Sequence, residues 1–214
     1  MVINIILLLL LASCFASLFT NGLWSNTLML VNVLTAGLLA MNYFEPLADW
    51  LEQQVSPSLT YAWDFVAIWL IFIAAMVALR GATDYMSPVK VRFLPPVDKF
   101  GGYVLALWTG WAVVCFATAT LHTAPLARNF LGFQPAPQEK MMWGFAPDRQ
   151  WLAWTHRESK GAMCRLHELA PFDPYGDFIL RYGKRREEFE GQLTLMTKGG
   201  GGGAPAQLPP GIAP

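Results

Sequence analysis

Cys164 and His167 are the pair in this sequence whose types and spacing suit a nucleophile and its base. Three residues apart, they can share one helical face. Cys-His catalysis usually draws its two groups from distant segments, so the pair reads as two unrelated side chains of a polar stretch. Asp173 and Asp177 have the spacing of a carboxylate pair but read as solvated loop charges. Asp64 is a carboxylate beside an apolar run, and an intramembrane carboxylate often marks an ion path. Its place at the run's start instead suits a helix cap or a contact with headgroups. Asn32 and Asn42 lie inside another apolar run, where asparagine bonds across to a neighbouring helix for about 1 kcal/mol or less. They could also line a polar pathway, but asparagine alone cannot relay protons. Leu11-Ala12-Ser13-Cys14 has the form of a lipoprotein cleavage box. No basic residue precedes it, which favours a retained first helix. Cys14, Cys115 and Cys164 are far apart, and no CxxC, HExxH or GxxxxGKS pattern occurs. These features point to a protein with no catalytic residues, no metal and no cofactor. A formal net charge of zero gives nucleic acid no overall field to follow.

The elements that would position these groups are apolar runs. Residues 1–122 hold four Lys/Arg and the remaining 92 hold eleven, so a lipid-soluble part is followed by a polar one. The expected fold is all-α: a membrane domain over residues 1–125 with four transmembrane helices, at about 2–19, 28–44, 62–80 and 99–121. A polar, tryptophan-containing tail at 126–198 and a disordered Gly/Pro-rich terminus at 199–214 complete the chain. Glu45-Pro46 should end or kink the second run, leaving Leu47 to Val55 as a short helix in the interface. From Tyr103 to Leu121 there are 19 residues without a charge. Asp98 should be the N-cap of that fourth helix, after Pro95 and Pro96 have stopped anything arriving from upstream. Gly102, Ala106 and Gly110 fall on one stripe, and Gly37 sits among the small residues Ala36 and Ala40. Such residues let helices approach closely in lipid, either inside the bundle or between copies. In the tail, Pro147-Asp148 carries a helix-start signature, and Trp143, Trp151 and Trp154 could anchor it to headgroups or to the membrane domain. Ser159 to Glu190 should be irregular or loosely helical.

Arg80, Lys90, Arg92 and Lys99 gather around the 81–99 linker, whereas the 45–61 loop has no base. The positive-inside rule then places the linker in the cytoplasm and both termini outside.

Four short-looped helices, the first starting near residue 2, an Asp98-Lys99 pair ahead of Gly102 and Gly110, and the Asn21-Gly22 turn together resemble the bacterial colicin V production family, CvpA. The match covers about residues 2–125; Lys99 stands where the family usually has arginine, and the arginine usually found beside the Gly22 turn is missing. The resemblance implies an integral inner-membrane protein supporting toxin production or export, or envelope resistance to toxic compounds, without catalysis. The expected partners are the lipid bilayer and further copies of the chain or another envelope protein, with no nucleic acid. A membrane-anchored scaffold recruiting proteins through its tail, or a small oligomeric channel, are the alternatives.

Overall fold

The structure is a computed structural model that describes residues 2–55, 60–87, 91, 93–126, 131, 133, 141–161, 163–164 and 171–199. Among them are six α-helices and no strand: α1 Val2–Leu18, α2 Leu23–Gln54, α3 Thr60–Met86, α4 Pro95–Leu121, α5 Pro147–Glu158 and α6 Phe178–Gly199. The 3-10 turn Met142–Gly144 leads into α5. His167, Lys90, Arg92, Arg128 and the terminus from 200 onward lie outside the described residues.

Among the described residues three helices are long and apolar enough to cross a membrane: α2, residues 61–86 of α3, and α4, with mean hydropathies of 1.5, 2.3 and 1.8. α1 is as apolar but has 17 residues, a length of about 25 Å. It lies along α4, where Gly110 brings the two backbones together: a Cβ there would stand 3.0 Å from Leu11 Cδ1 and 3.4 Å from the Leu11 carbonyl. The faces of α4 divide cleanly. Gly102, Ala106, Thr109 and Gly110 are buried, while Tyr103, Val104, Leu107 and Trp108 are exposed. Large apolar side chains on the outside are what a lipid-facing surface requires.

α2 differs from the sequence expectation. It runs unbroken through Pro46 to Gln54, so residues 47–54 are its last two turns and not a separate interfacial helix. Proline removes one N–H and one backbone hydrogen bond. Packing offsets that loss, because Phe44 and Ala48 on either side of Pro46 are buried in the central core. The same core contains Ala67 and Ile68 of α3, Cys115 and Phe116 of α4, Trp151 of α5, and Phe172, Phe178 and Tyr182 from the tail. The tail is therefore part of the packed structure. The stretch expected to be irregular or loosely helical contains the start of α6, whose Phe178, Tyr182 and Arg186 recur every four residues and are all buried. A sparse apolar content hid this stripe, since it uses one aromatic or one long cationic stem per turn.

Candidate functional site

The polar groups sit at the two ends of the helix bundle, with an aromatic and aliphatic interior between them. At one end the chain turns from α1 into α2. Asp98 was expected to cap its own helix, and it does not. α4 begins earlier, with Leu94 as N-cap and Pro95 and Pro96 in its first positions. Two prolines have no N–H to satisfy, so that helix end needs fewer caps. The Asp98 carboxylate instead accepts from the backbone N–H of Leu23, the first residue of α2, at 2.9 Å. Gly22 permits this approach, because a Cβ there would lie 2.8 Å from Asp98 Oδ2. Gly102 permits the next: its Cβ would meet the Asn21 carbonyl oxygen at 2.9 Å. Asn26, fully buried, ties three helices by donating to the carbonyls of Leu18 at 3.1 Å and Gly102 at 2.8 Å. Sequence reasoning passed over Asn26, whose only local signal is a lone asparagine in the first turn of α2. Lys99 is exposed. The small-residue stripe thus faces α1 and the α1–α2 turn of the same chain.

At the other end, the tail clamps onto the helices. Asp64 is buried and bonded by two α6 side chains, the Tyr182 hydroxyl at 3.0 Å and the Arg185 guanidinium. It is neither a cap nor a headgroup contact. Arg181 donates to Glu45 at 3.0 Å. Arg186 donates to the carbonyls of Leu121 and His122, at 2.9 and 3.2 Å, near the end of α4. Burial and the Asp64 charge push the Tyr182 hydroxyl well above the usual phenol range, so it stays protonated and acts as a donor. His122 Nε2 lies 3.0 Å from Asp148 Oδ2, both side chains almost wholly buried. A His–Asp pair is part of many hydrolytic sites. Here the neighbouring hydroxyls of Thr120 and Thr123 donate to carbonyls of their own chain segment, to Ala117 and Thr120, and the pair fastens α5 to α4.

α6 has its own start signal. The Asp173 carboxylate accepts from the N–H of Asp177 at 3.0 Å and of Phe178 at 3.3 Å, so it caps the helix and is buried, not solvated. Burial raises the Asp173 pKa, and the two backbone donors oppose the rise.

Between the ends, Phe72, Trp69 and Trp151 surround Phe116 with ring centroids 4.4, 5.4 and 5.4 Å away. Gly37 makes room for Trp151, whose ring would lie 2.4 Å from an added Cβ. Gly37 therefore receives a tail helix. Asn32 donates to Thr83 of α3 at 3.1 Å and Asn42 to the Met163 carbonyl of the tail at 2.9 Å. Asn32, Asn42 and Asp64 thus bond to three different segments. Among the described residues, no three His, Cys, Asp or Glu side chains gather as a metal site.

The residues that lock the α1–α2 turn to α4 fall inside a longer match: residues 3–140 match the Colicin V production protein family. The chain belongs to that family. In this member of the Colicin V production protein family, the Gly22, Asp98 and Gly102 positions converge on a single helix junction. The matched span ends before α5, so the Trp151 and α6 contacts lie beyond it. No curated protein and no solved structure matches the chain.

Proposed function

We propose that the protein is a multi-pass inner-membrane component supporting the production or export of a peptide toxin, or efflux across the envelope, without catalysis. The observation that carries this reading is the filled interior: Met41, Phe44, Ile68, Val114 and Phe116 are fully buried where the helices meet. A bundle closed in this way gives a solute no route through one copy. The protein then works with further copies or a membrane partner, through apolar faces such as Leu9, Val77 and Trp108. The Gly102 stripe is used within the chain and is not available for that contact.

α1 is the fourth span in this reading, because it packs at the same depth as α4 along Leu11 and Cys14. Both termini lie outside. Arg128 and Lys140 in the tail oppose this orientation but are outnumbered by Arg80, Lys90, Arg92 and Lys99 at the linker, and the bases of α6 start 60 residues beyond Leu121, past the 15–20 residues over which flanking charge sets orientation. A membrane-impermeant maleimide should label Cys164 in intact spheroplasts; labelling only after permeabilisation would reverse the orientation. For the function, a strain lacking the protein should lose secretion of a colicin V-type peptide, and the wild-type chain should restore it. Unchanged secretion and unchanged sensitivity to toxic compounds in that strain would refute the proposal. The scaffold reading is favoured by one observation, the exposure of Tyr175 and Leu180 on the tail. Tail truncation cannot separate the two readings, since it would uncover Gly37 and Phe116. Tyr175→Ala with Leu180→Ala does separate them: a scaffold loses function, whereas a membrane component keeps it.

A further inference from the structure

At the end of the bundle away from the tail, α2 and α3 leave a cleft of about 210 Å³ between them. Its walls are mostly polar, with Trp24, Ser25, Asn32, Arg80, Thr83 and Asp84 beside the apolar Leu28 and Met29. They are held in place by bonds of their own. Trp24 Nε1 donates to Ser87 at 2.9 Å, Asn32 to Thr83 at 3.1 Å, and the Thr83 hydroxyl to the Arg80 carbonyl at 3.0 Å.

Depth says what the cleft meets. Arg80 directly follows the apolar run 62–79 of α3, and Trp24 stands just ahead of the apolar part of α2. Eighteen apolar residues span about 27 Å, close to the hydrocarbon thickness, so Arg80 lies at the headgroup layer. Tryptophan beside it is the side chain that membranes favour at that depth.

Charge says which headgroup. Among the described residues the cleft's lining offers one cation and one anion, Arg80 and Asp84, paired with each other at 3.2 Å across one helical turn. Their side chains are 53% and 65% exposed, so the pair is weak and opens readily. Arg80 engages Asp84 through Nε, and the two terminal nitrogens of its fork match the oxygens of a phosphate. Asp84 matches an ammonium group. Ser25 and Asn32 add neutral polar groups to the wall.

We infer that this cleft is a binding site for a zwitterionic aminophospholipid headgroup, with the phosphate on Arg80 and the primary ammonium on Asp84. An anionic phosphoglycerol headgroup lacks the cation for Asp84. A choline headgroup has the charge but no N–H to donate to the carboxylate.

The test uses the full chain purified in detergent and native mass spectrometry with added phosphatidylethanolamine, phosphatidylcholine or phosphatidylglycerol. Phosphatidylethanolamine should bind about tenfold more tightly than either other lipid, the worth of one charge-assisted hydrogen bond. Arg80→Gln should weaken all three lipids. Asp84→Ala should erase the preference for ethanolamine over choline and strengthen phosphatidylglycerol. Both side chains are on the surface, and equal melting temperatures of the lipid-free variants would show that the fold is intact. Equal binding of the three lipids by the wild type would overturn the assignment. So would an Arg80→Gln variant that keeps wild-type affinity and selectivity.

Discussion

Gly101 and Gly102 are adjacent in α4, yet alanine should be tolerated at the first and costly at the second. At Gly101 an added Cβ would stand 2.5 Å from Leu23 Cδ1, the end of a flexible side chain. Rotation of Leu23 relieves that contact, and alanine brings a helix-propensity gain of up to about 1 kcal/mol. Gly101→Ala should therefore leave stability within about 1 kcal/mol of wild type, on either side. At Gly102 the Cβ would meet the Asn21 carbonyl oxygen at 2.9 Å, with Gly22 C and Leu23 N at 3.5 Å. These are backbone atoms and cannot rotate away. The turn that carries them is also held, by Leu23 N–H on Asp98 and by Asn26 on the Leu18 and Gly102 carbonyls. Overpacking a rigid contact costs about 1–3 kcal/mol. Loosening the Asn26 bonds adds about 1 kcal/mol for each bond lost. After the propensity gain, Gly102→Ala should cost about 2 kcal/mol, a factor of about thirty in the unfolding equilibrium. The assay is unfolding by SDS titration in mixed micelles, followed by the fluorescence of the nine tryptophans. A Gly102→Ala protein as stable as Gly101→Ala would refute the claim that α4 presses directly on the backbone of the α1–α2 turn.

Asp98→Ala removes the acceptor for Leu23 N–H and should cost about 1 kcal/mol, while Asp98→Asn keeps a carbonyl oxygen in place and should cost only a few tenths in the same titration. Arg185→Ala leaves the buried Asp64 without its cation and should destabilise tail docking by about 3 kcal/mol, read as faster proteolysis of α6. Adding Asp64→Ala to it should recover part of that loss, and strictly additive losses would show that the two side chains do not act as a pair. Burial raises the Asp173 pKa in the folded chain, so its contribution to stability is full below the ordinary carboxylate value and is lost as pH rises through the raised one. Melting temperatures taken upward from pH 4 should fall more steeply in the wild type than in Asp173→Asn.

The apolar runs were enough to announce the helices. In a membrane the backbone must satisfy itself, so a long uncharged run such as Tyr103 to Leu121 leaves little choice but α-helix. The Gly102–Ala106–Gly110 stripe was equally plain, because close approach demands small residues at helical spacing. Partners were not legible. Asp98 in sequence stands ahead of a helix and reads as its cap, yet in three dimensions it faces the start of another helix 75 positions earlier. Local propensity cannot tell these apart, because a carboxylate at either place meets the same kind of free N–H.

The tail shows the same division more sharply. Its composition is polar, and its tryptophans left two places open, the headgroups or the membrane domain. Only docking revealed that Trp151 fills the space left by Gly37, and that α6 buries Phe178, Tyr182 and Arg186 against α2, α3 and α4. Such contacts join residues more than one hundred positions apart, as Tyr182 and Asp64 do. The sequence by itself determined which apolar segments are helical and can lie in lipid, since hydropathy and helical spacing act over one or two turns. Which carboxylate meets which donor, and whether the tail is free or packed, was decided by tertiary structure, since those energies exist only once distant segments share a surface.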